Sequence, residues 1–405
     1  MTSEVSLISQ VVAISLTIAL FVAIWAILRS RGLRVVLSAS LFVAFLVATQ
    51  LSVKVVESKP FNFKFPGLLT TLHFSCVVVA VAAYWTWKGE PRKIFPWSIP
   101  LLRWVKTVVP VAISQPISVV FNNKAMVYAG AGVCAVIGTL SPVCTAVISS
   151  CCGRRLTVLS WGGVIIAFLG ALVISWGEVS SVEGESKNKS QIIQGLIYAF
   201  ASLSGRCAKI VILDYMMAPL AYARNTEPVD EEPLSVIHVL GLTYPWGAVL
   251  SLAYALTLGG ESPQEAWNQL TPELGGYIAL SCSFALALNF LGTFALHELG
   301  ASAQQIVGKL NTICLASISV AFLGEHLPVV VVVGSALVLG GVAIFERGQH
   351  DVGHEDDSVP ASAGRATMTR RATLKKALNR SSLCGRGQRP SWRCETKDCL
   401  NGVSR

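Results

Sequence analysis

Charge is scarce in this chain. Only 14% of its 405 residues are Asp, Glu, Lys or Arg, whereas 53% are hydrophobic, a balance that excludes an ordinary water-soluble globular domain. Carboxylates are scarcer still within the apolar stretches, where no Asp or Glu sits centrally. A proton-driven cation exporter needs such a carboxylate to trade a proton for its cargo, so that class is disfavoured. Also missing is any His/Asp constellation that would supply acid/base chemistry, which argues against a lipid-modifying membrane enzyme, and no cofactor is expected. Eleven cysteines are present, but Cys76, Cys134, Cys144, Cys207, Cys282 and Cys314 lie inside apolar runs as small packing residues. The trio Cys384, Cys394 and Cys399 lacks the spacing of metal ligands.

What is abundant is uninterrupted apolar sequence. A helix rising ~1.5 Å per residue needs about 20 apolar residues to cross roughly 30 Å of hydrocarbon. A first run of this kind occupies Val5 to Leu28. Ten more follow, near Leu33 to Val56, Pro66 to Trp87, Trp104 to Asn123, Val127 to Cys151, Leu156 to Trp176, Ile192 to Met217, Leu234 to Leu258, Leu274 to Leu296, Ser302 to Leu323 and Leu327 to Phe345. The expected architecture is an all-α membrane protein: an extra hydrophobic segment at 1–32, a ten-helix core at 33–346 and a tail at 347–405. The first run is long for a signal peptide and no basic residue precedes it, so it reads as a signal anchor or targeting segment. The tail is Ser, Gly and Arg rich without periodicity, which predicts a disordered basic segment. The net charge of +9 therefore points to anionic lipid headgroups beside that tail, and not to nucleic acid.

The chain also repeats itself. Cys134 to Ser149 aligns with Gln304 to Ser319 at one fixed offset, pairing Gly138 with Gly308, Leu140 with Leu310, Cys144 with Cys314 and Ser149 with Ser319. The second copy lies in the fifth span after the first. An odd number reverses orientation, so the chain is expected to hold two inverted five-helix repeats. Loop charge agrees: the first copy ends in Gly153-Arg154-Arg155 and the second in Gly324-Glu325-His326. The positive-inside rule then places Arg29, Arg31, Arg34, Arg92, Lys93, Arg103, Arg154, Arg155 and the tail on the cytosolic side. Asp230-Glu231-Glu232 falls on that side as an acidic exception, next to Arg224.

A charge deep in a span costs about 2.5–3.5 kcal/mol on insertion scales, so each one marks a candidate site. In the span from Ser302, Gln304, Gly308 and Asn311 share one helical face, and Gln305, Lys309 and Thr312 share the next. Lys309 either lines a cavity there or snorkels to the interface. Arg206 and Lys209 project together at i and i+3, with Asp214 placed to neutralise them near one end. His73, Lys54, Asn122, Asn123 and Lys124 complete the candidates, and Asn289 is placed as glue between helices. The embedded ionic groups are basic. Phosphate-bearing anions are their natural partners, because Lys and Arg offer charge-assisted donors in a low-dielectric cavity.

The run from Lys54 through Phe61-Asn-Phe63-Lys-Phe65-Pro66 to Leu69-Thr70-Thr-Leu-His73 resembles the Phe-Pro/Leu-Thr/His signature of the triose-phosphate translocator and nucleotide-sugar transporter family. That family lies in the drug/metabolite transporter superfamily. Asn122-Asn123-Lys124-Ala-Met, Leu140-Ser141-Pro142-Val143, Ile174-Ser-Trp-Gly-Glu178, Gly205-Arg206 and Ala303 to Thr312 extend the resemblance over about Leu33 to Glu346. It implies ten helices in two inverted halves and exchange of a nucleotide sugar for a nucleoside monophosphate, in a Golgi or ER membrane. The alternative is a plastid-envelope carrier exchanging a phosphorylated metabolite for phosphate. The implied site residues are Lys309, Gln305, Asn311, Thr312, Gly308, His73, Asn123, Lys124, Lys54 and Arg206. Departures bear on the substrate: Val53 replaces the signature asparagine, Gly138 stands where phosphosugar translocators carry a lysine, and Lys309 is displaced along its helix from the GDP-mannose carrier pattern. Whether the chain forms a homodimer is left open.

Overall fold

The computed structural model describes residues 15, 18–57, 60–90, 98–129, 134, 137–180, 189–222, 231–311, 314 and 329–357. The tail beyond 357, most of the first apolar run before residue 18, and Thr312 lie outside the described residues. Two units divide the chain, Met1–His350 and Asp351–Arg405; in the second, residues 351–357 are described and are helical.

Among the described residues every regular element is a helix. A helical stretch at 18–28 leads through a 3-10 turn, Arg29–Arg31, into α1 (Leu33–Glu57). Then follow α2 (Pro66–Trp87), α3 (Leu101–Ala129), α4 (Ser141–Cys151), α5 (Val158–Ser180), α6 (Lys189–Met217), α7 (Val236–Leu256), the short α8 (Pro263–Asn268), α9 (Pro272–Leu299), α10 (Ala301–Gly308) and α11 (Val329–Asp357).

The boundaries follow local chemistry. Pro66 and Pro272 stand in the first turns of α2 and α9, where a missing N–H costs nothing and φ is already helical. Ser235, Ser262 and Thr271 cap α7, α8 and α9 by accepting from His238, Glu265 and Leu274 backbone N–H groups, which satisfies donors no helix can pair internally. Gly300 ends α9 at a φ of 81°, a conformation that suits glycine.

The expectation of ten spans is met in part. Five described helices, α1, α2, α6, α7 and α9, are long and apolar enough to cross a membrane, while α4 and residues 158–173 of α5 are shorter apolar helices. Large apolar side chains such as Val79, Ile197 and Val249 face outward, while Ser, Thr and Ala recur among the buried positions. Lipid is the solvent that suits such a surface.

Helix pairing is systematic. The two most extensive contacts are α3 on α6 and α1 on α9, and α2 packs on α7. In addition α3 touches α7 and α2 touches α9, and α4 meets α6 and α10 while α1 also meets α10. A seam of small residues joins α5 to α11. A Cβ on Gly341 would lie 2.5 Å from the Ala167 nitrogen and one on Gly170 would lie 2.7 Å from the Gly334 oxygen. Close backbone approach of this kind replaces the hydrophobic effect, which is weak between helices in lipid.

One end of the bundle is bound together electrostatically. Arg31 pairs with Glu346 at 2.6 Å, Arg34 with Glu298 at 3.1 Å and Arg103 with Glu231 at 3.2 Å. Arg154, from the α4–α5 turn, pairs with Asp214 near the end of α6. Asp214 is 1% exposed, and its Oδ2 also accepts from the Tyr222 hydroxyl at 2.7 Å and from the Ala301 N–H at 3.0 Å. The first-turn amide of α10 is thereby held by the carboxylate, which the helix dipole favours. Burial and the neighbouring Asp214 carboxylate push the Tyr222 phenol above its ordinary range, so it stays a donor.

Candidate functional site

The helices meet around a cavity of about 390 Å³, within the range of roughly 300–1,000 Å³ usual for small-molecule sites. Each helix presents a single face to it. From α3 come Gln115, Ser118 and Asn122, spaced i, i+3, i+7; from α6 come Arg206, Lys209, Ile210 and Leu213. On α9 the same spacing brings Asn289, Gly292, Thr293 and Leu296 inward. Those intervals put side chains on one stripe of an α-helix. Phe42 of α1, Tyr244 of α7, and Gln304 and Gln305 of α10 fill the remaining wall.

Most of these polar groups are committed to each other. Lys209 Nζ donates to Gln115 Oε1 at 2.5 Å, tying α6 to α3. The Tyr244 hydroxyl donates to Asn289 Oδ1 at 2.6 Å, and Asn289 Nδ2 donates to the Ala285 oxygen at 2.8 Å, so both ends of that amide are used. Gln304 Nε2 donates to the Gly292 oxygen at 2.7 Å, while its Oε1 is buried with no hydrogen-bond partner among the described residues.

Arg206 is different. It lines the cavity with an accessible side chain, and among the described residues it has no hydrogen bond or ion pair. Among the described residues no Asp or Glu lines the cavity, and Asp214, two helical turns along α6, is taken by Arg154, Tyr222 and Ala301. A cation without a partner among the described residues, facing a cavity between apolar helices, attracts anions, because its field is screened less there than in bulk water.

The other candidates are distributed as follows. Gln305 lines the cavity beside Gln304. Lys309 does not; its Nζ donates to the Gly138 oxygen at 2.7 Å, one turn before α4. Gly308 sits against the Phe42 ring, 3.7 Å from the position of a Cβ. Asn311 donates from Nδ2 to Gln50 Oε1 at 3.0 Å. His73 is buried in α2 and its Nε2 lies 3.1 Å from Ser281 Oγ, which also receives Ser52 Oγ at 3.1 Å, so it joins α1, α2 and α9. Lys54 and Lys124 are exposed, and Lys124 lies 5.6 Å from the Tyr198 ring centroid. The side chain of Asn123 and all of Thr312 lie outside the described residues. Two residues that the sequence pattern left unmarked, Gln115 and Tyr244, prove to line the cavity; each is an uncharged group in an apolar run, with no embedded charge to draw attention to it.

Together the apolar exterior, the helix pairing and the cavity between the helices define a multi-pass helical membrane protein. Residues 31–176, from the start of α1 into α5, match the EamA-like transporter family, which is part of the drug/metabolite transporter superfamily. A solved structure titled "Crystal structure of protein" superimposes with a TM-score of 0.54 at 16% identity, covering 76% of this chain and 94% of that one. At that identity the similarity is one of fold. No curated protein matches the chain.

Proposed function

We propose that the chain is a secondary-active antiporter carrying a nucleotide sugar against a nucleoside monophosphate across a Golgi or ER membrane, by alternating access. The observation that carries the substrate class is Arg206: a guanidinium with no hydrogen bond or ion pair among the described residues, in a cavity whose described lining holds no Asp or Glu. A phosphate or diphosphate supplies the acceptors that this group lacks, through geometry matched to the planar donor fork. Asn122, Gln115 and Gln305 add uncharged donors and acceptors suited to a sugar or base.

Alternating access is supported by the helix pairings. Matching α1–α5 to α6, α7, α9, α10 and α11 turns the contact α3–α6 into α1–α9, α3–α7 into α2–α9, and α4–α6 into α1–α10; every one of these is present. The turn at residues 139–140 likewise has its counterpart at Lys309, at the aligned position of the repeat. Two halves built alike can exchange conformations and open the cavity to either side.

The test is counterflow in proteoliposomes preloaded with nucleoside monophosphates and supplied with a panel of nucleotide sugars. Exchange of at least one pair is expected. Arg206→Gln should lower apparent affinity roughly 10- to 150-fold, the loss of one charge-assisted contact of about 1.5–3 kcal/mol. Exchange of phosphorylated metabolites for phosphate instead would move the protein to the plastid-type class, and unchanged affinity in Arg206→Gln would remove the anion site.

A further inference from the structure

Four ion pairs among the described residues join the first set of helices, α1–α5 with the turn that leads into α1, to the second set, which begins at α6. They are Arg31–Glu346 at 2.6 Å, Arg34–Glu298 at 3.1 Å, Arg103–Glu231 at 3.2 Å and Arg154–Asp214. In each of these the cation belongs to the first set and the carboxylate to the second. All lie at one end of the bundle. Arg31 and Arg34 flank the start of α1, Arg103 opens α3 and Arg154 follows α4, while Asp214 and Glu298 close α6 and α9, Glu231 leads into α7 and Glu346 lies in the later half of α11.

The opposite end is joined differently. There the sets meet through Ser281 with Ser52 and His73, through Asn311 with Gln50, and through Glu261, which accepts from the Gly67 and Leu68 N–H groups. No ion pair joins the sets at that end among the described residues. A topological preference for arginine at one membrane face accounts for the four arginines. It does not account for four carboxylates at the same face, all drawn from the other set. Nor does a permanent joint need them: close packing of small residues fastens helices in lipid, as between α5 and α11, whereas partly exposed ion pairs each contribute little and exchange with water. The side chains of Arg34 and Glu231 are 70% and 32% exposed, so solvent already reaches the seam.

We propose that this charge-polarised seam is a gate, shut in this structure, that parts when the cavity opens to the arginine-bearing end. It borders the cavity directly: Leu213 and Leu296, which line the wall, adjoin Asp214 and stand two residues before Glu298. The inference rests on the alternating-access reading but not on the identity of the substrate. Parting separates a rim of arginines from a rim of carboxylates, and water hydrates both. Salt favours the parted state, because raising the ionic strength from about 0.1 to 1 M shortens the screening length from about 10 to 3 Å. Since two like halves alternate, parting at one end accompanies closure at the other. A static brace would loosen without that response.

The experiment is hydrogen–deuterium exchange, read by mass spectrometry, on the full-length protein in detergent without substrate. Raising salt from about 0.1 to 1 M should speed exchange several-fold in the α4–α5 turn and at the α9–α10 junction, and should slow it in the first turn of α2 and around Glu261 at the other end. Arg31→Glu with Arg34→Glu sets like charges against Glu346 and Glu298 and should produce the same reciprocal pattern at low salt. Adding Glu298→Arg and Glu346→Arg restores opposite charges and should return the original pattern. Faster exchange at the ion-paired end with no added protection at the other marks a static brace and would overturn the proposal, as would exchange that salt leaves unchanged at both ends. The salt series on the unaltered chain decides this even if a variant fails to fold. Reciprocal exchange without nucleotide-sugar transport would remove the substrate assignment and keep the gate; transport without reciprocal exchange would do the opposite.

Discussion

Removing the charge of Asp214 should loosen the bolted end of the bundle, and the structure sets the size of the effect. Its Oδ2 serves Arg154, the Tyr222 hydroxyl and the Ala301 N–H at once, and the side chain is 1% exposed against 17% for Arg154. Asp214→Asn keeps an oxygen for the two neutral donors but strands the guanidinium. Breaking one side of a buried pair costs about 3–5 kcal/mol. Because Arg154 keeps some access to solvent, the lower figure of about 3 kcal/mol applies, roughly a hundredfold in the folded-to-unfolded ratio. Arg154→Met should cost a similar amount, since it leaves a sealed carboxylate with only neutral donors. The double variant removes both charges and should cost clearly less than the sum, with a coupling of about 1.5 kcal/mol or more. Denaturation of the detergent-purified protein, followed by the fluorescence of its 10 tryptophans, measures all four corners of the cycle. Additivity within about 0.5 kcal/mol would show that Arg154 and Asp214 do not act as a pair.

The small-residue seam offers a sharper contrast. Gly341→Ala should destabilise by about 1–3 kcal/mol, because its Cβ would stand 2.5 Å from the Ala167 nitrogen, whereas Gly340→Ala, with nothing within 4 Å, should be neutral or slightly stabilising; the same denaturation assay separates them. Glu261 holds the first turn of α2 through the Gly67 and Leu68 N–H groups, each at 2.8 Å, so Glu261→Ala should cost about 0.5–2 kcal/mol in thermal-denaturation measurements. Lys309→Met should lower stability, since the Gly138 carbonyl loses its donor, while changing nucleotide affinity less than Arg206→Gln does; a larger affinity loss for Lys309→Met in ligand-induced thermal shifts would reverse the roles of the two cations.

How far these features were legible in the chain depends on what fixes them. The spans Pro66–Trp87 and Leu33–Glu57 are readable almost to the residue, because apolar length is set by the bilayer and the starts carry their own chemistry in Pro66 and in the Gly32 break. The six-residue α8 escaped notice, since Pro263–Asn268 has no apolar run and is held by its Ser262 cap. In the site, polar positions were visible but their directions were not. Gln304, Gln305 and Lys309 lie on adjoining faces of one helix, and only the rotation imposed by α1, α4 and α9 decides that the glutamines look into the cavity while the lysine turns to Gly138. The pair Arg206 and Lys209 poses the same problem: spacing puts them on one stripe, but a glutamine 94 positions away takes the lysine, while the arginine has no hydrogen bond or ion pair among the described residues. A single partner thus decides which of two neighbouring cations can hold an anion, and such partners come from tertiary packing that no local pattern encodes. For that reason the Arg206 and Lys309 substitutions must be read together: the sequence marks both cations as candidates, and only the packed helices decide between them.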